Sequence, residues 1–138
     1  GLESQPLIEA VVGYGLANYD NDTEQIIAAM RRVKTVCTEA YDYLKAQPDN
    51  SVDVVYFDPM FRHPFAESKN IAPLRPVANK NPLTLETIAE AKRVARHRVV
   101  LKESSKSREF ARLGFTERAG GRYSKVQYGV IRLKVLNN

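Results

Sequence analysis

Hydrophobic positions along the chain switch between helical and strand spacing, and the switches mark out a series of α and β segments. From Leu7 to Leu16, the residues Leu7, Val11 and Tyr14 recur at helical intervals, with Ser4 as candidate N-cap and Pro6 in the first turn. Asp20-Asn21-Asp22-Thr23 has helix-start chemistry. Glu24 to Arg32 then places Ile26, Ile27 and Met30 on one face and closes on Arg31-Arg32, favourable at a helix C-terminus. Val33 to Cys37 reads as a short strand, and Gln47-Pro48-Asp49-Asn50-Ser51 as a loop. Val52-Asp53-Val54-Val55-Tyr56-Phe57 is rich in β-branched and aromatic residues, which predicts a buried interior strand. Thr84 caps a helix that carries Leu85, Ile88, Ala89 and Ala91 to Val94. Arg98 to Lys102 is the next strand, and Ser107 to Leu113 a short helix stopped by Gly114. Phe115 to Arg118, a turn at Gly120-Gly121 and Tyr123 to Val135 complete the chain as two further strands. Strands separated by helices, then a closing pair, predict an α/β fold with a mostly parallel sheet and an antiparallel end.

The Val52–Phe57 strand ends abruptly at Asp58-Pro59, because proline has no N–H to give to a sheet ladder. An acidic side chain at the carboxyl end of a strand sits where open α/β sheets place their ligands, although Asp before Pro also caps ordinary turns. A second acidic residue, Glu3, precedes the first predicted helix, and a third, Glu39, follows the Val33–Cys37 strand. Each could equally complement a helix dipole.

At 138 residues, with 43% hydrophobic and 27% charged residues, the chain has the composition of one globular domain. It holds no apolar run near the roughly 20 residues that span a bilayer, so no membrane partner is expected. Its single cysteine, Cys37, lies in an apolar run and is expected to be a buried thiol, in keeping with a cytoplasmic protein. Two histidines, His63 and His97, do not suggest a metal site.

The net charge of +5 conceals an asymmetry. Up to Phe61 four Lys/Arg face ten Asp/Glu, whereas from Arg62 to Arg122 fourteen face six. The basic half suits a polyanionic partner such as RNA, with solvated helix faces as the alternative. Residues 62–83 hold four prolines together with Arg62, Arg75 and Lys80, which predicts a long excursion acting as a lid or an RNA-contacting flap.

Asp58-Pro59-Met60-Phe61 resembles the Asp/Asn-Pro-Pro-Tyr/Phe tetrapeptide of S-adenosylmethionine-dependent amino-group methyltransferases. It is closer to the Asp-Pro-Met-Phe/Tyr variant of bacterial guanine-N2 methyltransferases that act on small-subunit ribosomal RNA. The stretch Asp53 to Pro64 is also similar to a group of uncharacterised bacterial methyltransferase-like proteins. The resemblance implies a Rossmann-like methyltransferase sheet and S-adenosylmethionine as cofactor. It implies that Asp58 and the carbonyl of Pro59 accept hydrogen bonds from the target amino group, with Asp58 also bordering the cofactor, and that Phe61 stacks on the base. By the same resemblance Glu3 holds the ribose hydroxyls and Glu39, followed by Ala40, the adenine amino group.

The expected activity is methyl transfer to an exocyclic amino group of a base, with guanine in ribosomal RNA as the leading substrate. A non-catalytic methyltransferase-like domain that binds RNA or protein, and a methyltransferase for DNA or a small molecule, stay open. Two departures from the family pattern stand out. Nothing matches the first strand and its glycine-rich loop, and Met60 replaces the second proline of the commoner motif. The chain is accordingly expected to be one domain over 1–138 that is N-terminally incomplete, or whose central strand comes from a second copy in a homodimer.

Overall fold

The computed structural model describes residues 1–20, 23–59, 76–77 and 79–134. Its elements are β1 (Leu2–Glu3), α1 (Pro6–Asn18), α2 (Glu24–Arg32), β2 (Val36–Cys37), α3 (Ala40–Ala46), β3 (Val52–Phe57), α4 (Leu85–Val94), β4 (Ala95–Ser104), α5 (Glu109–Arg112), β5 (Glu117–Ala119) and β6 (Val126–Arg132). They fall into two compact units, Gly1–Asp42 with Phe65–Lys80, and Tyr43–Pro64 with Asn81–Asn138.

In the first unit β1 and β2 form a parallel pair, Leu2 opposite Val36 and Glu3 opposite Cys37. Helix α1 begins with Pro6 in its first turn, as expected, but its N-cap is Gln5 and no side chain caps it. Ser4 is not the cap; the Glu3 carboxylate instead accepts the backbone N–H of Gln5 at 2.9 Å. At the other end, the Arg31 guanidinium donates to the carbonyls of Leu16 and Tyr19, groups that the end of a helix leaves without partners. Leu7, Val11 and Tyr14 share a helical spacing but are exposed, and no residue of α1 is buried. Helix α2 spans Glu24–Arg32 as its start signal and terminal arginines predict. Cys37 is exposed rather than buried: its strand is two residues long and among the described residues pairs with β1 alone.

In the second unit the strand order is β3-β4-β6-β5. β3 is parallel to β4, and β6 is antiparallel to both β4 and β5, so three strands share a direction and one opposes them. This is a Rossmann-like mixed α/β sheet with one antiparallel strand, the last in sequence. Among the described residues no glycine-rich turn joins a strand to a following helix: Gly13 and Gly15 lie inside α1, and Gly114, Gly120 and Gly121 follow α5 and β5.

Helix α4 starts at a true cap, Thr84, whose hydroxyl accepts the Thr87 backbone N–H at 3.1 Å. Its Ile88, Ala91 and Val94 recur at three-residue steps and are buried, and the helix packs against β3 and β4. Arg93 at the end of α4 donates to the carbonyls of Leu44 and Gln47 and meets Asp49, fixing the loop that feeds β3. β4 alternates with a period of two. Val99, Leu101 and Glu103 are buried beneath the helices, while Val100, Lys102 and Ser104 lie half-buried on the other face.

β3 departs from the expectation of a buried interior strand. Phe57 alone in it is buried, Val54 and Tyr56 are exposed, and among the described residues the strand pairs only with β4. The composition of β3 suits burial on two faces and two edges. The described residues cover one face and one edge.

Candidate active site

The carboxyl end of β3 is set by backbone chemistry. The ladder runs through Tyr56 opposite Val100 and Phe57 opposite Leu101, and Pro59 then withdraws the chain from the sheet. Asp58 lies one residue beyond the last registered pair, alongside Lys102, and the Lys102 ammonium donates to Asp58 Oδ2 at 3.0 Å. The Lys102 and Asp58 side chains are 30% and 45% exposed, so the pair is partly shielded yet open to a ligand from the Asp58 side.

Lys102 stands opposite Tyr128 of β6, and Tyr56 precedes Asp58 by two residues, so two phenols border the ion pair. The Asp58 carboxylate raises the Lys102 ammonium above the ordinary lysine range, outweighing the opposite effect of burial. Burial, and after it the negative charge of Asp58, push the Tyr56 phenol up, while Lys102 works against the shift.

The amino end of the same strand has a different character. Arg96 donates to Asp53 Oδ1 at 2.8 Å, and His97 approaches that oxygen at 3.7 Å, in an exposed surface cluster. His97 therefore belongs to the opposite end of β3 from Asp58. Among the described residues no group of three His, Cys, Asp or Glu side chains could hold a metal ion.

The first unit carries its own acidic pair. Glu3 ends β1, and Glu39 follows β2 by two residues, so both stand at the carboxyl ends of adjacent parallel strands. The Asn79 amide donates to Ser4 Oγ at 2.9 Å and to Glu39 Oε1 at 3.3 Å, linking the loops that leave the two strands. Ala40 opens α3 immediately after Glu39.

The structure thus groups Glu3 with Glu39 and Ala40 at one pair of strand ends, and Asp58 with Pro59 at another. Phe61, Arg62, Arg75, Met60 and His63 lie outside the described residues, as does most of the proline-rich excursion; Lys80, just after Asn79, is exposed. Lys102, Tyr128 and Asn79 are side chains that sequence reasoning did not place near these positions. A signal for Lys102 existed in its location four residues into the β-rich run from Arg98, but only the β3–β4 register makes it meaningful.

Comparison with known proteins finds a matching family model and several relatives. The family model described as "Putative SAM-dependent methyltransferase" matches residues 2–119. The "Uncharacterized protein YpiP" of Bacillus subtilis (strain 168) is 45% identical over 115 residues, which cover 83% of this chain and 45% of that protein. The "Ribosomal RNA small subunit methyltransferase J" of Pseudomonas fluorescens (strain SBW25) is 32% identical over 111 residues, covering 77% of this chain and 42% of that protein. Its namesake from Dechloromonas aromatica (strain RCB) is 31% identical over 111 residues, covering 77% of this chain and 44% of that protein. The chain spans less than half the length of each of these relatives. No helix among the described residues is long and apolar enough to cross a membrane.

Proposed function

The chain belongs to the SAM-dependent methyltransferase family, and from that premise we propose that it forms part of an enzyme that methylates an exocyclic amino group of a base, guanine in small-subunit ribosomal RNA. The observation that carries the reading is the half-exposed Asp58 carboxylate, set directly beyond the end of β3 and ahead of Pro59.

The family's cofactor is S-adenosylmethionine, and the chemistry of the side chains in the first unit fits it. One oxygen of Glu3 takes the Gln5 N–H, which leaves Oε2 to accept from a ribose hydroxyl. Glu39 is exposed beside the N-terminus of α3, as an acceptor for an adenine amino group would be. When bound, the cofactor would supply an electrophilic methyl group carried on a positively charged sulfur that can keep the bonding pair.

The protein's task is to make a poor nucleophile serviceable. The lone pair of an aromatic amine is delocalised into its ring. Asp58 and the Pro59 carbonyl would accept the two amino hydrogens, which favours a pyramidal nitrogen with its lone pair directed at the methyl. As the new nitrogen–carbon bond forms, nitrogen holds one proton in excess, and that proton leaves toward Asp58 or water. Phe61 would stack on a base drawn out of its helix. The relatives named for ribosomal RNA methylation and the basic composition after Phe61 support an RNA substrate.

The test is incorporation of labelled methyl groups by the intact protein into small-subunit ribosomal RNA from cells lacking it, followed by nucleoside analysis. N2-methylguanosine is the expected product. Label that enters DNA or small amines instead, or no transfer at all, overturns the reading.

Two further outcomes are expected. Glu3→Gln weakens cofactor binding about tenfold in calorimetry, because a hydrogen bond to a charged acceptor becomes a neutral one. Affinity for RNA falls with salt on a log–log plot, and reversing the charges of Arg75 and Lys80 together lowers that slope by about 2 while sparing free cofactor binding. An unchanged slope would assign these cations to a solvated surface.

A further inference from the structure

We propose that Lys102 is a positioning residue for methyl transfer, holding Asp58 through Oδ2 so that Oδ1 is presented to the amino group of the substrate. The inference rests on the reading of Asp58 as the hydrogen acceptor.

Three observations carry it. First, Lys102 is mounted on an interior strand of its unit. β4 pairs with β3 on one side and β6 on the other, and the neighbours of Lys102 in sequence, Leu101 and Glu103, are buried. The backbone from which the ammonium extends is therefore fixed. Asp58, by contrast, follows the last ladder pair, and a carboxylate on a terminal sp² torsion turns freely unless something holds it.

Second, the contact is monodentate. Nζ meets Oδ2 alone, which among the described residues leaves Oδ1 open to a further donor. The surface pair Arg132–Glu117 shows the contrasting arrangement: Nε and Nη2 take both carboxylate oxygens, at 2.8 and 2.7 Å. An arginine at position 102 would bring the same two-toothed fork to Asp58 and occupy the oxygen that the substrate needs, whereas lysine acts as a point charge and leaves it free.

Third, the pair differs in setting from the other strand-end ion pair. Arg96 and Asp53 are 50% and 66% exposed, as expected of a solvated contact, while the Lys102 side chain is 30% exposed and bordered by Tyr56 and Tyr128. Partial shielding strengthens the hold on Asp58 without closing the site.

The experiment compares Lys102→Met, Lys102→Arg and Asp58→Asn, singly and with Lys102→Met combined with Asp58→Asn, in the intact enzyme. Thermal melts, cofactor affinity and single-turnover methyl transfer are measured for each. Lys102→Met is expected to lower the transfer rate about tenfold or more, with cofactor affinity unchanged. Lys102→Arg is expected to melt like wild type and still lose transfer, which a purely structural cation would not do. In the Asp58→Asn background, Lys102→Met should cost nothing further, because its effect passes through the carboxylate. Full activity in Lys102→Arg, or equal losses from Lys102→Met in both backgrounds, overturns the proposal. Should Lys102→Met fail to fold, the arginine variant decides alone. If Asp58→Asn retains wild-type transfer, the reading of Asp58 fails instead, and the two failures are distinguishable.

Discussion

Replacing Asp58 by alanine in the intact protein lowers kcat by about a hundredfold or more and leaves cofactor affinity within a few-fold. The carboxylate stands beyond the end of β3, whereas Glu3 and Glu39, proposed to hold the nucleoside part of the cofactor, belong to the ends of β1 and β2. An interaction made with the amino group as it becomes pyramidal is realised mainly in the transition state, so its loss appears in kcat. Misfolding is not a competing explanation on energetic grounds. Asp58 and Lys102 are 45% and 30% exposed, and an ion pair in that setting contributes roughly 0–1 kcal/mol. Asp58→Ala should therefore melt close to wild type, and its Lys102 ammonium, no longer held up by a carboxylate, should titrate nearer the ordinary lysine range. Asp58→Asn sharpens the result, since it keeps the volume and one acceptor oxygen but removes the charge. Turnover near wild type in the alanine variant would end the proposed mechanism.

How far the sequence could be read depended on whether a signal was local. Helix α2 and the cap of α4 were legible because the determinants, Thr23 with Arg31-Arg32 and Thr84 with Glu86, lie within a few residues of the ends they define. The end of β3 was legible for the same reason, since Pro59 acts on the residue next to it. β4 proved longer than Arg98–Lys102, beginning at Ala95 directly after α4, because pairing with β3 and β6 draws in residues whose own pattern is neutral. The last strand proved shorter than expected: β6 runs Val126–Arg132, and Tyr123 is exposed in the turn before it.

The illegible features depend on what lies across space. Residue type says that Val54, Tyr56, Leu7 and Cys37 favour burial; it does not say whether anything covers them, and all four are exposed. Ser4 had the right chemistry for a cap, but its hydroxyl accepts from Asn79, which is 75 residues away. Asn79 reaches Glu39 across 40 residues, and Lys102 reaches Asp58 across 44. The acidic residues at the strand ends of each unit were visible because strand ends announce themselves. Their partners were not, because a partner is chosen by register.

The largest effect on stability is expected where β6 crosses the core. Gly129 pairs with Leu101 on one side and Arg118 on the other, and it faces Phe110 and Phe115, both buried. A Cβ built at Gly129 would lie 2.6 Å from Phe110 Cδ1 and 2.8 Å from Phe115 Cβ, closer than carbon atoms tolerate. Glycine is required there for space, since a ladder on both sides prevents the strand from retreating. Gly129→Ala should cost about 1–3 kcal/mol by overpacking. Phe110→Ala, which empties the place of the largest fully buried side chain among the described residues, should cost about 3–5 kcal/mol. That is a large share of the roughly 5–15 kcal/mol that holds a domain together. The two positions are coupled through one volume. Phe110→Leu frees space beside Gly129, so Gly129→Ala should be less harmful in that background, with an interaction energy of about 0.5–3 kcal/mol in denaturant titrations. Any shift of β6 also moves Tyr128, the neighbour of Gly129 that stands opposite Lys102. Gly129→Ala should accordingly lower methyl transfer in the fraction that remains folded. An equal cost of Gly129→Ala in the wild-type and Phe110→Leu backgrounds would show that the crowding is not with this ring.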